Sequence, residues 1–373
     1  MKIKIAKPEN ELIGDSQLLK NLNSTFLSGN YIGGKNVQEF EDSLGNYLNV
    51  KYVASLNSGT DALLLSLLSL GIKKGDEVIL PSFTYFATVE TVLNIGAVPV
   101  FADLDENSFT TSSLIIEKLI TTKTKCIIPV HLFGYDCDIE NVVSLAKHFR
   151  IPILEDTAQA FGSKANNKQF LGTFGEIGAF SNYPTKTLGG IGDGGFVATN
   201  NIDYFKKIKL LKNHGQIKTY SHQIPGYNSR LDSLNALVLH RKLKKFEKIK
   251  KSRNNFVNFY LDIFKSLDDI HIPKIKDNYL LNNFSIYLPQ KIRNKFLNEL
   301  KMKNIETRIY YPIPMHKQKA LTDIYNLKNV KLKNTEKASK SIISLPLYSF
   351  PTNNELNYLE KNIFNTLKKV GIK

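Results

Sequence analysis

The sequence predicts an α/β protein: a large, mostly parallel sheet with helices on both faces, followed by a smaller C-terminal α+β domain. Three observations predict it. Between Lys51 and about residue 200, short apolar runs of four to eight residues alternate with helical patterns, the signature of a parallel sheet covered on both sides. After Ser229 the alternation gives way to a long helical stretch. Beyond that stretch, strand-like and amphipathic helical segments mix over the last hundred or so residues.

The elements follow in order. KYVASLNS (51–58) reads as a strand, and GTDALLLSLLSLG (59–71) as a buried helix opened by a glycine turn. DEVILPS (76–82), VPVFADL (98–104), CIIPVHLFG (126–134) and IPILEDT (151–157) read as further strands. TYFATVETVLNIG (84–96) and DIENVVSLAKHFR (138–150) read as the helices between them. In such sheets, ligand sites gather at the carboxyl ends of the strands. That places Asn57–Thr60, Pro81–Tyr85, His131–Gly134 and Asp156–Gln159 around one mouth. From Ser229 a helical stretch runs to about Phe264. NNFSIYLP (282–289) and IETRIYYP (305–312) read as strands around the helix IRNKFLNELKMKN (292–304), and TNNELNYLEKNIFNTLKKVG (352–371) as a closing amphipathic helix. The domains are expected at 1–250 and 251–373.

With 373 residues, 42% hydrophobic and 23% charged, the chain has an ordinary globular composition. It has no apolar run long enough to span a membrane and no apolar h-region at its start. Cys126 and Cys137 stand in no metal-ligand spacing, so no metal is expected, and their scarcity suggests a reducing cytoplasm. The net charge of +16 comes from 50 Lys and Arg against 34 Asp and Glu. Its densest block, RKLKKFEKIKKSR (241–253), has Leu243, Phe246, Ile249 and Phe256 at helical spacing on and just beyond it. That fits the solvated face of an amphipathic helix. No nucleic-acid motif accompanies it, so a nucleic-acid partner is not expected.

Chemistry concentrates in three places. In FSNYPTKTLGGIGDGG (180–195), Lys186 stands among small, apolar and hydroxyl residues, with five glycines in the next nine positions. A buried lysine loses solvation of its charged form, and the neutral amine attacks carbonyls; a loop lysine reaching out to water is the plain alternative. In ILEDTAQAFG (153–162), Asp156 follows an apolar strand, as a cofactor-binding carboxylate or as a helix cap. In NSGTDAL (57–63), a glycine turn opens a helix and aims backbone N–H groups at an anion, with Ser58 and Thr60 adding hydroxyls. An ordinary capped turn is again the alternative. Neither GxGxxG nor a P-loop is present. An aldehyde for the lysine, a ring nitrogen for the aspartate and a phosphate for the turn together describe pyridoxal 5′-phosphate (PLP).

The segments SGTDAL, PSFTYFAT, EDTAQA, FSNYPTKTLGGIGDGG, GYNSRLDSLNA and RIYYPIPMH, in this order, resemble the DegT/StrS-type sugar aminotransferases, of the aspartate-aminotransferase fold group (fold type I). The resemblance covers nearly the whole chain. It implies that Lys186 anchors PLP, Asp156 pairs with the ring nitrogen, Gln159 approaches the ring hydroxyl and Tyr85 stacks on the ring. It also implies that Gly59, Thr60 and Ser181 bind the phosphate and that Asn228 reaches the phosphate of the neighbouring subunit, making a homodimer with shared sites. His131, Tyr183, Arg230, Tyr311 and His316 lie in segments where sugar or nucleotide contacts are expected.

The same resemblance implies L-glutamate as amino donor and a nucleotide-linked ketosugar as acceptor, in deoxyamino-sugar biosynthesis for surface glycans. Family members acting at C-4 commonly carry His three residues before the lysine, whereas this chain has Tyr183 and the TLGGIGDGG ending. That favours C-3 of a dTDP-linked 3-keto-6-deoxyhexose, with a C-4 or UDP-linked ketosugar as alternative and a non-catalytic PLP-binding regulator as a further one. A sugar dehydratase of this fold has His at the lysine position. Asn182 and Asn235 depart from the aromatic and the Gln common in the family.

Overall fold

The computed structural model describes residues 1–372 except Ser266, Asn326 and Lys328. Seven strands form the large sheet: β1 (Tyr52–Leu56), β2 (Glu77–Pro81), β3 (Val98–Ala102), β4 (Thr124–Ile127), β5 (Leu154–Asp156), β6 (Ile177–Ser181) and β7 (Gly195–Thr199). Hydrogen bonding gives the orders β1-β7-β6-β5 and β3-β2-β4. Parallel bridges Ile127–Ile153 and Val130–Asp156 join the two sets, so the full order is β1-β7-β6-β5-β4-β2-β3. Only β7 runs against its neighbours; the other pairings are parallel. The expected mostly parallel sheet is present.

Alternation along the strands divides the core. Phe180, Phe196, Ala198 and Val53 face one layer with Phe40, Leu44, Leu239 and Phe246. Ala179, Val197, Ala54 and Leu56 face the other with Leu63, Leu67 and Val89. Further along, Ile79 and Ile127 join Val142 and Ala146 from the helix Ile139–Phe149. Helices therefore cover both faces.

CIIPVHLFG is extended for a shorter span than expected. β4 ends at Ile127, and residues 132–134 turn into a short 3-10 segment with Phe133 at φ 59°; Pro129 supplies no N–H for a longer ladder. The helical stretch after Ser229 is two helices, Ser233–Lys244, capped by Asp232, and Phe246–Phe264. Residue 250 lies inside the second helix. Its Phe246 and Ile249 belong to one core layer, and its Phe256, Tyr260 and Phe264 to the other.

In the C-terminal part, Phe284–Tyr287 pairs antiparallel with Ile342–Leu345. The expected strand IETRIYYP is not a strand; it makes only single bridges, Ile305 with Ile3 and Arg308 with Ser344. Its Tyr310 and Tyr311 instead line a cavity, and Pro312 follows them. The N-terminal tail packs here too. Ile3 exchanges backbone bonds with Asn304 and Glu306, both 2.9 Å, Leu347 N–H donates to Ile5 O, and Lys7 pairs with Glu355. The helix Asn353–Val370 opens on a Thr352–Glu355 capping box. Among the described residues, no helix is long and apolar enough to cross a membrane.

Candidate active site

A cavity of about 420 Å³ lies at the carboxyl ends of β1, β2, β4, β5 and β6. The position follows from parallel topology, in which these ends open on the same side.

Its floor is an anion cradle. Ser58 caps the helix Gly59–Leu70, accepting from Asp61 N–H at 3.0 Å. The first N–H groups of that helix have no partner within it. Gly59 is required by close packing, since a Cβ there would sit 2.7 Å from Ser181 Cβ. A Cβ on Gly195, where β7 starts, would come 2.5 Å from the Ser58 carbonyl carbon. Two glycines thus let three strand ends converge, and Ser181 brings its hydroxyl beside the helix terminus.

Asp156 ends β5 and is 5% exposed. Its Oδ2 accepts from Thr88 Oγ1 at 2.8 Å and its Oδ1 from Ala158 N–H at 3.1 Å. Burial raises its pKa, against the opposing pull of these donors and of the Lys186 ammonium. Lys186 lines the same cavity, half-buried, in a turn closed by its N–H to Tyr183 O at 2.9 Å. Burial lowers its pKa to about 8, opposed by Asp156. The amine is thus neutral for a useful fraction of the time near neutral pH.

The loop carrying Lys186 is pinned from several sides. Asn182 Nδ2 donates to Leu188 O at 2.8 Å. Asn235 accepts from Ile191 N–H at 3.0 Å and donates to Asp193 O at 2.8 Å. The buried Lys242 ammonium donates to Gly189 O. The two asparagines that depart from the family pattern are therefore clamps on this loop.

Gln159 accepts from Phe133 N–H at 2.9 Å and donates to the Tyr311 hydroxyl at 3.0 Å. Burial raises the Tyr311 pKa, so its phenol stays protonated. Tyr85, 61% exposed, stands with its ring centroid 6.2 Å from that of Tyr311. Tyr183, 51% exposed, is on the rim. Gly59, Thr60, Tyr85, Asp156, Gln159, Ser181, Tyr183, Lys186 and Tyr311 thus share one cavity.

Four expected residues lie outside the lining of this subunit's cavity. His131 is a correction: it is fully buried, and its Nε2 lies 2.9 Å from Glu155 Oε2, so it has no surface for a substrate. Glu155 also accepts from the N–H groups of Gly172, Phe174 and Gly175. Burial opposes the imidazole's charge, but the Cys137 sulfur and the Glu155 carboxylate outweigh it and raise the His131 pKa well above its usual value. His316 is a second correction. It is 1% exposed, with Nδ1 2.7 Å from Ser82 Oγ and Nε2 3.3 Å from Glu336. It fastens the segment after Tyr311 to the end of β2. Arg230 donates to Asn213 Oδ1 at 3.1 Å, and Asn228 is exposed.

Sequence reasoning missed Thr88, Asn282, Asn283 and Tyr310 as lining residues. Thr88 had a signal, since it stands three residues after Tyr85 on a helix that begins at the mouth.

The residues fit PLP. A phosphate matches the cradle of unpartnered N–H groups and Ser181, an aldehyde matches Lys186, and a cationic ring nitrogen relieves the buried charge of Asp156. A mostly parallel sheet with a carbonyl-reactive amine facing an anion cradle places the molecule among the lysine-anchored cofactor enzymes. Comparison with known proteins narrows this class. Residues 13–363 match the DegT/DnrJ/EryC1/StrS aminotransferase family, and the chain belongs to that family. It is 35% identical over 334 residues, 89% of each chain, to the UDP-N-acetyl-3-dehydro-alpha-D-glucosamine 3-aminotransferase of Acidithiobacillus ferrooxidans. It is 35% identical over 326 residues, 87% of this chain and 88% of the relative, to the dTDP-3-amino-3,6-dideoxy-alpha-D-galactopyranose transaminase of Aneurinibacillus thermoaerophilus. Its fold matches NtdA from Bacillus subtilis with bound cofactor PMP at a TM-score of 0.90, with 29% identity over 98% of this chain and 85% of that one.

Proposed function

We propose that the protein transfers an amino group from L-glutamate to C-3 of a nucleotide-linked 3-ketosugar, using PLP. The observation that carries the reading is the convergence of Lys186, Asp156 and the Gly59–Thr60–Ser181 cradle on one cavity. When bound, the cofactor supplies a carbonyl for amine exchange and a ring that stores the electron pair released at carbon. Lys186 would anchor it and, as a free amine, would take the proton from the donor's Cα. Asp156 is the charged partner of the ring nitrogen. Gly59, Thr60 and Ser181 would hold the phosphate, Tyr85 the ring, and Gln159, oriented by Phe133 N–H, the ring hydroxyl. Residues 1–250 supply most of this machinery, and residues 251–373 close it with Asn282, Asn283, Tyr310 and Tyr311.

The C-3 reading rests on Tyr183 three residues before Lys186, and the names of both curated relatives support it. A tyrosine there offers a bulky ring with one hydrogen-bonding tip, where a histidine offers a smaller ring with two nitrogens. A dTDP-linked 3-keto-6-deoxyhexose is the first acceptor reading. A UDP-linked 2-acetamido-3-ketosugar is the second, since the relative named for it is equally identical to this chain.

The same reading makes the enzyme a cytoplasmic homodimer. Asn228 is exposed and outside its own cavity, free to reach a partner's phosphate. Ile13, Leu19, Phe26, Leu27, Tyr31 and Ile32, on and around the helix Ser16–Ser28, are exposed apolar residues of the kind an interface covers.

The test offers the holoenzyme L-glutamate with dTDP-3-keto-6-deoxyhexose, dTDP-4-keto-6-deoxyhexose and the UDP-linked 2-acetamido-3-ketosugar separately, with products assigned by NMR. Nitrogen at C-3 is expected; preference for the 4-keto sugar, with nitrogen at C-4, overturns the regiochemistry.

A further inference from the structure

The helix Phe86–Asn94 opens at the mouth of the cavity, directly after Tyr85. Thr84 stands just before Tyr85, and Thr88 lies in the first turn of the helix. Thr91, one turn on, shows the usual habit of a helical threonine. Its hydroxyl turns back onto its own helix, to Ala87 O at 3.1 Å and Thr88 O at 3.3 Å. Thr88 turns outward instead. Its Oγ1 crosses to the end of β5 and donates to Asp156 Oδ2 at 2.8 Å, while Thr84 Oγ1 lies 2.9 Å behind it. Both threonines are 1% exposed, so neither serves as a contact for a ligand.

The order of protons along this row follows from Asp156. An ionised carboxylate only accepts, so Thr88 donates to it. With its one hydrogen placed there, the Thr88 oxygen accepts from Thr84. Each donor in such a row polarises the next, so Thr84 strengthens the bond that Thr88 makes. A proton on Oδ2 would have to reverse the row. Burial opposes the Asp156 charge, and the Thr88 hydrogen bond is the largest pull the other way, ahead of Ala158 N–H, the Lys186 ammonium and the His131 imidazolium. Tyr311, from the C-terminal part, adds only a neutral phenol.

We infer that the Thr84–Thr88 hydroxyl row is a positioning unit for Asp156: it fixes Oδ2 and holds the carboxylate in its anionic form, so that a proton shared with the cofactor ring sits on the ring nitrogen. The inference rests on the role given to Asp156 above. Neither threonine touches the reacting atoms. Both act through the carboxylate, and a hydrogen bond to a charged group in a buried site is worth more than one between neutral groups.

Three variants test the row. Thr88→Val keeps the shape and loses the hydroxyl, Thr88→Ser keeps the hydroxyl, and Thr84→Val removes the outer donor. Each is loaded with PLP isotopically labelled at the ring nitrogen, and the NMR resonance of that nitrogen is recorded at neutral pH. The single-turnover rate of band loss is measured against L-glutamate concentration, and thermal unfolding of the apoenzyme reports the fold. Wild type and Thr88→Ser are expected to show a protonated ring nitrogen. In Thr88→Val the resonance should move toward the neutral position, because the less stabilised carboxylate draws the proton to itself. Band loss should slow by at least about 10-fold, with the half-saturating glutamate concentration within about twofold of wild type. Thr84→Val should move the resonance in the same direction by less. A Thr88→Val resonance that stays at the wild-type position overturns the inference whatever the rate does, and so does a displacement that serine fails to reverse. If Thr88→Val does not fold, Thr84→Val decides, and an unmoved resonance there overturns the inference. A ring nitrogen already neutral in wild type overturns the Asp156 assignment and this inference with it. Wild type that keeps its band in glutamate, while the valine resonance still moves, overturns only the proposed amino donor and supports the row.

Discussion

Lys186 and Asp156 each sit where burial opposes their charge, and each moderates the other's titration. Lys186→Ala should remove the visible band of the lysine-bound cofactor, while the cradle at Gly59, Thr60 and Ser181 still holds some PLP on a desalting column. An unchanged band identifies another lysine as the anchor. Because the Lys186 amine titrates near about 8, the rate at which apoenzyme captures PLP should climb with pH as the neutral form grows and level off above that value. Stopped-flow absorbance measures it, and a midpoint near the ordinary lysine value of about 10.4 contradicts the lowered pKa. Asp156→Asn keeps the hydrogen bond from Thr88 but not the charge. It should bind PLP and transaminate at least about 100-fold more slowly, and near-normal kcat in that variant removes the assigned role.

The loop between β6 and β7 is held by Asn182, Asn235 and Lys242 at separate carbonyl and N–H groups. Asn235→Ala removes two of these bonds and with them the loop's tie to the helix Ser233–Lys244. It should cost roughly 1–3 kcal/mol in thermal unfolding and weaken PLP retention. A variant as stable and as tightly loaded as wild type shows that the loop holds itself. Much of this element's role was legible in the sequence, because a lysine among glycines and hydroxyls is unusual. The large sheet was legible too, because buried parallel strands are continuous apolar runs. The clamps were not legible, since an asparagine that pins a loop reads like one that faces water. IETRIYYP read as a strand because Ile, Thr and Tyr favour extended backbone, but tertiary context turned its tyrosines into the cavity. His131 and His316 read as sugar or nucleotide contacts because they lie in segments that resemble the family's. Both instead met buried partners, Glu155 for one and Ser82 for the other, that lie far along the chain and leave no local trace.

At the scale of the whole molecule, the proposed dimer makes the site a joint product of two chains. Lys186→Ala and Asn228→Asp then damage opposite contributions to one pocket. Mixed dimers of the two variants should contain one intact site and recover activity that neither homodimer has. No recovery after verified subunit exchange places Asn228 in its own subunit's service. The helix Phe246–Phe264 crosses residue 250, with Phe246 and Ile249 packed in one core cluster and Phe256 and Tyr260 packed against Tyr348 and Phe284 of the C-terminal part. The N-terminal tail adds a constraint in time. Ile3 finds its backbone partners at Asn304 and Glu306, and Lys7 its counterion at Glu355. At ribosomal speeds of about 5–20 residues per second, those partners emerge roughly 15–60 s after the tail. Ile3 and Lys7 therefore stay without these partners until residues 304–355 have left the ribosome, through most of the chain's synthesis.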